Sequence, residues 1–93
     1  MVIPGKKKGE TTFVCRLTPE PKKVCLVGDF NRWNPTKKRM VRSKDGSFRA
    51  RVSLAPGRHE YKFVADGIWT TDPDAESNVV NGHGTLNSVV VVQ

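Results

Sequence analysis

The chain has 93 residues and a formal net charge of +7, and this length predicts a single folded domain. No segment approaches the roughly 18 consecutive apolar residues of a membrane span, which excludes an integral membrane helix, and we expect a cytoplasmic domain. The two cysteines and two histidines stand at none of the spacings typical of zinc sites, so we expect no metal and no cofactor.

The first ten residues, MVIPGKKKGE, combine a basic cluster with Pro and Gly. They predict a flexible basic leader over residues 1–10, followed by a β-sandwich module over residues 11–93. Two strand-like runs, TTFVCRL and KKVCLVG, open that module. Because side chains alternate between the faces of a strand, Cys15 and Cys25 point into different environments, and we predict two reduced thiols.

Later segments show the period of two that half-buried strands require. The predicted core positions in SFRARVSL and HEYKFVAD are Phe48, Ala50, Val52, Leu54, Tyr61, Phe63 and Ala65. The β-branched run TLNSVVVVQ predicts a last strand, and no stretch of ten residues carries a helical apolar stripe. The pattern predicts six or seven short strands in an immunoglobulin-like antiparallel β-sandwich, with a small barrel as the alternative.

Two Asp-Gly pairs predict hairpins, at Asp45-Gly46 and Asp66-Gly67, because both central residues of a type I′ turn require positive φ. A two-residue turn at Asp66-Gly67 places Val64 opposite Trp69 and makes Lys62 a diagonal neighbour of Trp69. Since the aromatic residues of the same run take the core side, Trp69 is predicted to face outward.

The other tryptophan, Trp33, lies in VGDFNRWNP, where a strand ends in a polar loop. An indole can stack on the apolar C–H side of a pyranose ring while neighbouring polar groups bond the hydroxyl rim. Nucleic-acid bases also stack on aromatic rings, and a single Trp in a small β-domain is more often packed than used. Two solvent-facing indoles together favour a binding surface.

Three stretches, VCLVGDFNRWNP, YKFVADGIWTTDP and NGHGTLNSVVVV, resemble in order and spacing the glycogen-binding module of AMP-activated protein kinase β subunits. They are also similar to the starch- and glycogen-binding modules of branching and debranching enzymes, which are carbohydrate-binding modules of the family 48 type. The resemblance covers about residues 13–92. It implies an early-set immunoglobulin-like β-sandwich that binds α-1,4-linked glucans and is not an enzyme.

The same resemblance implies a set of site residues. Trp33 and Trp69 would cradle the glucan, and Lys62 and Asn87 would hydrogen-bond its hydroxyl groups. Thr85 matches the loop before the last strand and would bond a further hydroxyl. His83 stands where the kinase module has a leucine that enters the ring of a cyclic glucan, so the preference among linear, cyclic and branched glucans stays open. For His83 itself, a sugar contact and a solvated loop position remain alternatives.

The acidic residues give little support to catalysis. Glycoside hydrolysis needs two carboxylates across a cleft, yet Asp45 and Asp66 are required for turns. Asp72, Asp74 and Glu76 are predicted to lie in a solvated loop. We therefore expect no enzyme.

Three basic clusters could attract a nucleic acid or an acidic surface. They consist of Lys6, Lys7, Lys8, Lys22, Lys23, Lys37, Lys38, Arg39 and Arg42. Because they occupy a tail and two loops, we favour a role in solubility and in protecting sheet edges. Two alternatives to sugar binding stay open: a single-stranded nucleic-acid binder, and a scaffold that docks an enzyme of glycogen metabolism or a regulatory kinase.

Overall fold

The computed structural model describes residues 1–93 and consists of ten strands and one 3₁₀ turn at Asp29–Asn31. The strands are β1 Val2–Pro4, β2 Glu10–Cys15, β3 Val24–Gly28, β4 Lys38–Arg39, β5 Val41–Arg42, β6 Phe48–Ser53, β7 Gly57–Ala65, β8 Ile68–Thr70, β9 Ser77–Val80 and β10 Leu86–Val92. Several of them have only two or three residues, which is why their number exceeds the six or seven predicted. None of these elements is a helix with the length and apolarity that crossing a membrane requires.

The strands form two antiparallel sheets, one with the order β1-β2-β6-β5 and one with the order β4-β3-β7-β10-β9. Strand β10 pairs with β7 from Gly57 to Tyr61, and β8 pairs with β7 from Phe63 to Ala65. These two strands therefore share one edge of β7 and separate beside Lys62. The predicted all-β antiparallel sandwich is confirmed, whereas its finer immunoglobulin-like character stays a prediction.

The core lies between the two sheets and uses the alternating positions that the sequence predicted. Phe48, Ala50, Leu54, Tyr61, Phe63 and Ala65 are buried, and Val52 is half-buried against them. Phe13 from the smaller sheet meets Tyr61 from the larger one edge to face, with ring centroids 4.9 Å apart. Full burial of a large apolar side chain contributes about 1.5–3 kcal/mol, so this layer supplies most of the stability.

The hairpin at Asp66-Gly67 has the predicted geometry. Its φ angles are 49° and 82°, the two positive values of a type I′ turn. Val64 consequently pairs with Trp69, as expected.

The hairpin at Asp45-Gly46 is present, but only Gly46 has a positive φ, 85°. Ser43 N donates to Ser47 O over 2.7 Å, so the loop has three residues and the two-residue type I′ turn predicted here is wrong. The loop is held by Asp45, whose carboxylate accepts bonds from the Ser47 hydroxyl (2.6 Å) and amide (3.0 Å). Those bonds lower the pKa of Asp45 to about 2.

The expected flexible leader over residues 1–10 is partly a strand. Val2, Ile3 and Pro4 pair with β2 at Phe13, Thr12 and Thr11. Val2 also packs against the core. This contact helps to hold the segment in place, and the basic composition of the leader gave no sign of it. Residues 2–4 are therefore part of the smaller sheet, and the division of the chain into a leader over residues 1–10 and a module over residues 11–93 stays a prediction.

The two cysteines are free and buried, and they lie on opposite sides of the larger sheet. Cys15 belongs to the cluster between the sheets, whereas Cys25 packs with Val27 and Val64 on the outer face of the larger sheet. The predicted difference in environment is confirmed. Burial, with a smaller contribution from the Asp72 carboxylate, raises the pKa of the Cys15 thiol to about 12.

Asp72 corrects the prediction of a solvated acidic loop, because it is only 1% exposed. Its carboxylate accepts hydrogen bonds from the Tyr61 hydroxyl over 2.6 Å and from the Asp74 amide over 2.9 Å, and the terminal amine of Met1 also donates to it. These donors replace the water that a buried carboxylate loses. Burial and the bond to Asp72 raise the pKa of Tyr61, while Asp74 and Glu76 are exposed as predicted.

Candidate functional site

A groove of about 920 Å³ lies on the outer face of the larger sheet, where β8 and β10 separate along β7. Its lining residues are Asp29, Trp33, Glu60, Lys62, Trp69, Thr71, Asn81, Gly82, His83, Thr85 and Asn87. The structure thus brings the six residues named from the sequence to one place. Five others were not predicted: Asp29, Glu60, Thr71, Asn81 and Gly82.

Trp33 reaches the groove through a strained turn. Arg32 and Trp33 both adopt left-handed backbone conformations, with φ of 57° and 58°, which cost on the order of 1–3 kcal/mol each for residues other than glycine. Trp33 N donates to Gly28 O over 2.9 Å, and the side chain packs against the outer cluster around Cys25 and Val64. Trp33 is therefore half-buried rather than fully solvent-facing as expected.

Asn31 braces the turn that carries Trp33. Its amide donates to Leu26 O and accepts from Gly28 N, both over 3.0 Å, and the side chain is 9% exposed. Gly28 is required for space: a Cβ there would lie 2.4 Å from the Phe30 ring and 2.7 Å from Glu60 O. These contacts hold the loop in one position.

Trp69 stands on β8 directly across from Val64 and is 47% exposed. Its position follows from the tight Asp66-Gly67 turn, since the register of a two-residue hairpin sets which face each side chain takes. Two indoles held on separate elements thus line one groove.

Lys62 and Thr85 form the polar floor. Lys62 is only 8% exposed, and its Nζ donates to Thr85 Oγ1 over 2.9 Å. Asn81 Nδ2 donates to the same oxygen over 2.7 Å. Because a hydroxyl has two lone pairs and one proton, Thr85 still has its O–H to donate to a ligand.

Asn81 organises the loop at residues 81–85. Its Oδ1 accepts from the His83 amide (2.9 Å) and the Thr85 amide (3.2 Å), and its backbone N donates to Thr85 O over 2.8 Å. The His83 side chain is exposed at the tip. The Asn-Gly pair at 81–82 is a turn signal that could have revealed this role.

Asn87 completes the wall next to the loop. Its Oδ1 accepts from Asn81 Nδ2 over 3.1 Å, and its Nδ2 donates to Glu60 Oε1 over 3.0 Å. The other Glu60 oxygen accepts from Arg58 over 3.0 Å, and Glu60 N donates to Asp29 over 2.9 Å. The two carboxylates of the groove therefore belong to one hydrogen-bonded wall, and their partners lie 27 to 31 residues apart in sequence.

The arrangement offers two aromatic faces together with fixed donors and acceptors. Such a surface suits a ring with an apolar side and a hydroxyl rim, since stacking and hydrogen bonding are both available. No group of three or more His, Cys, Asp or Glu side chains is arranged to hold a metal ion. The groove therefore offers stacking faces and hydrogen-bonding groups to a ligand.

Residues 11–93 match the family described as the glycogen recognition site of AMP-activated protein kinase. The 5′-AMP-activated protein kinase subunit beta-1 of Sus scrofa is 41% identical over 80 residues, which are 86% of this chain and 62% of that protein. The Homo sapiens subunit beta-1 is also 41% identical over 80 residues, which are 28% of its length.

Protein FLOURY ENDOSPERM 6, chloroplastic, of Oryza sativa subsp. japonica is 43% identical over 60 residues, which are 64% of this chain and 11% of that protein. The chain thus spans 11% to 62% of the length of these relatives. A maltogenic amylase from S. marinus has a similar fold, with a TM-score of 0.71 at 21% identity over 90% of this chain and 13% of the amylase chain.

Proposed function

The chain belongs to the family of the glycogen recognition site of AMP-activated protein kinase, and on that premise we propose that it is a non-catalytic module that binds α-1,4-linked glucans. The observation that carries this proposal is that both indoles line one groove of about 920 Å³ together with polar side chains. A groove of this size is comparable to typical small-ligand sites.

In the proposed mode, Trp33 and Trp69 stack on the C–H sides of two glucose units. Each stack contributes about 1–2 kcal/mol, by analogy with aromatic pairs and with base stacking. Lys62 and Asn87 bond sugar hydroxyls, and Thr85 donates the O–H that its two protein partners leave free. The site is preformed, because the backbone under each side chain is already hydrogen-bonded.

We assign His83 a contact with the sugar at the loop tip, where its ring is exposed between Gly82 and Gly84. An imidazole can stack on a sugar or bond a hydroxyl, but it is polar and cannot act as a purely apolar wedge. Substitution His83→Leu is therefore expected to change the ratio of affinities for cyclic and linear glucans of equal length, measured by titration.

The proposal includes the absence of catalysis. Glycosidases place their two carboxylates across the scissile bond, whereas Asp29 and Glu60 lie on one wall and are engaged by Arg58, Asn87 and His59. Incubation of the protein with maltoheptaose should release no shorter sugars.

The test is a titration with maltoheptaose followed by chemical shifts residue by residue. Substitution Trp69→Ala should weaken binding at least tenfold, which corresponds to about 1.4 kcal/mol, and leave the domain folded. Ile68→Ala is the matched control, because Ile68 is the exposed neighbour on the same strand and points to the other face. Equal affinities of Trp69→Ala and the parent protein would remove the proposal.

A second candidate is a scaffold that docks a kinase or an enzyme of glycogen metabolism, and it is favoured by the similarity to kinase β subunits. A pure scaffold would pass through a column of glycogen beads, whereas the proposed module is retained. Single-stranded nucleic acid is a poorer fit because two carboxylates line the groove; its binding would fall steeply with salt, while that of a neutral glucan would not.

A cytoplasmic location also belongs to the proposal. Two free, buried thiols are compatible with a reducing compartment. Fractionation of cells that express the protein would test the location directly.

A further inference from the structure

A second cavity, of about 320 Å³, adjoins the groove on the same face of the larger sheet. Cys25 and Val64 form its apolar floor, and Thr36 and Lys23 supply polar groups at its border. Trp69 lines both cavities. One indole therefore borders both cavities.

The sheet register places a second cation beside this cavity. Arg39 pairs with Cys25, Cys25 with Val64, and Val64 with Trp69, so the four side chains form one row across β4, β3, β7 and β8. Paired residues point to the same face, which puts Arg39 at the open end of the row, opposite Trp69. Lys23 lies two residues before Cys25 on the Arg39 side of the cavity, and diagonal neighbours in an antiparallel pair typically have Cα atoms about 7–8 Å apart.

The two cavities differ in charge. Asp29 and Glu60 line the groove, whereas no carboxylate lines the second cavity. Lys23 and Arg39 are exposed, and their side chains form no ion pair. Lys23 lines a cavity whose floor is apolar, and Arg39, which is paired with the floor residue Cys25, is a second cation without an ion-pair partner next to it.

One carboxylate is close in the chain, that of Asp66, and it is already engaged. Its oxygens accept the backbone amides of Lys22 and Lys23 over 2.9 to 3.1 Å. Asp66 therefore shapes the rim of the cavity through the backbone, and no ion pair joins it to the Lys23 ammonium.

We propose that the second cavity binds a phosphate monoester carried on the α-glucan that occupies the groove, with Lys23 and Arg39 holding the phosphate and Trp69 contacting the sugar that bears it. This inference rests on the proposed glucan binding and adds a preference for phosphorylated chains. A phosphate carries close to two negative charges and three acceptor oxygens, which two adjacent cations can satisfy together.

The charge difference selects this ligand over a nucleic acid. A polyanion that filled both cavities would bring phosphates against Asp29 and Glu60, which repel them. A largely neutral chain with an isolated phosphate leaves the acidic wall next to hydroxyl groups, which can donate to it. A neutral glucan that carries an occasional phosphate therefore fits the acidic groove with its sugar units and the second cavity with its phosphate.

The experiment compares maltoheptaose with the same heptasaccharide carrying one 6-phosphate, by calorimetry at about 0.02 M and about 0.5 M salt. At low salt the phosphorylated sugar should bind about three- to tenfold more tightly, the effect of two exposed ion pairs. The advantage should shrink at high salt, while the affinity for the neutral sugar stays constant.

The double variant Lys23→Ala/Arg39→Ala should lose the advantage and keep the neutral affinity. The double variant Lys44→Ala/Arg51→Ala removes the same charge away from the cavity and should keep both. Equal losses in the two double variants would overturn the inference in favour of a general charge effect. Tight binding of a single-stranded oligonucleotide would also overturn it.

The outcomes separate this inference from the function on which it rests. If maltoheptaose binds but the phosphate adds nothing, the second cavity is not a phosphate site and glucan binding stands. If neither sugar binds, both proposals fail.

Discussion

The two faces of strand β7 (Gly57–Ala65) differ in burial and in the residues that they contact. Tyr61 and Phe63 on the inner face are fully buried, with ring centroids 5.8 Å apart. On the outer face, Lys62 reaches Thr85 across the groove and Val64 supports Trp33. Because side chains alternate along a strand, the same nine residues build the core and the candidate site, and substitutions on the two faces should have separable effects.

The two faces also differ in what they contribute to folding. The inner face stabilises the sandwich by burying aromatic surface. The outer face carries a cost, since Arg32 and Trp33 are held in left-handed conformations that are retained only where surrounding contacts impose them. The stability of the inner layer offsets that cost.

The largest expected effect is on stability and comes from a substitution on the inner face. Phe63→Ala should lower the free energy of unfolding by about 3–5 kcal/mol, because it removes a fully buried ring. Urea denaturation measures this loss. Trp69→Ala, on the outer face, should change the same quantity by less than about 1 kcal/mol; comparable losses in the two variants would mean that the faces are not separable.

The second-largest expected effect is that of Gly28→Ala, which should alter both stability and glucan binding. A Cβ there would lie 2.4 Å from Phe30 and 2.7 Å from Glu60 O, so Gly28→Ala should cost about 1–3 kcal/mol of stability and weaken glucan binding by shifting the Trp33 turn. Gly82→Ala is the control for stability only, because its Cβ would meet nothing within 4 Å while Gly82 itself lines the groove. An unchanged melting temperature for Gly28→Ala would show that the turn adapts freely.

Alkaline pH tests the inner face through the buried Cys15 thiol. The folded pKa of Cys15, about 12, lies above the ordinary value of 9.0, so the folded state binds this proton more tightly than the unfolded state. The stabilisation is complete below about pH 9 and is lost as pH rises toward 12, by about 1.4 kcal/mol per pH unit. Denaturation midpoints measured between these values should fall accordingly.

One variant sharpens this pH prediction. Cys15→Ala should flatten the decline that begins near pH 9, and the remaining loss at higher pH comes from Tyr61, whose pKa burial also raises. A pH dependence that Cys15→Ala leaves unchanged would contradict the assignment.

The smallest expected effect concerns only the outer face. Asn81→Ala removes the bonds to the His83 and Thr85 amides and to the Thr85 hydroxyl, and should weaken maltoheptaose binding about three- to tenfold. Asn81→Asp keeps one acceptor oxygen but replaces the amide donor by a charged oxygen that faces Thr85 Oγ1 and Asn87 Oδ1, so it should not restore the affinity of the parent. Calorimetry would measure both, and identical affinities for all three proteins would exclude a role for this loop.

Local patterns predicted the strands, the buried face of each and the outward position of Trp69. They succeeded because strand alternation and the Asp66-Gly67 turn depend on neighbouring residues only. The prediction of a two-residue turn at Asp45-Gly46 was wrong because the carboxylate of Asp45 accepts hydrogen bonds from Ser47. These bonds stabilise a longer loop.

The site residues that the sequence did not predict depend on contacts between residues far apart in the chain. Glu60 meets Asn87 and Asp29 through bonds that span 27 and 31 residues, and no short pattern contains both partners. The buried state of Asp72 likewise depends on Tyr61, which lies eleven residues earlier on β7. A polar residue with such partners is indistinguishable in sequence from one in water.

The amino-acid sequence by itself determined an all-β sandwich, its core positions and the two tryptophans of the candidate site, because periodicity and turn chemistry act over a few residues. Only the tertiary structure decided that β8 and β10 separate beside Lys62, that Trp33 is half-buried in a strained turn, and that a second, carboxylate-free cavity shares Trp69. These features arise where strands distant in the chain meet, and their energies depend on distances that folding alone establishes.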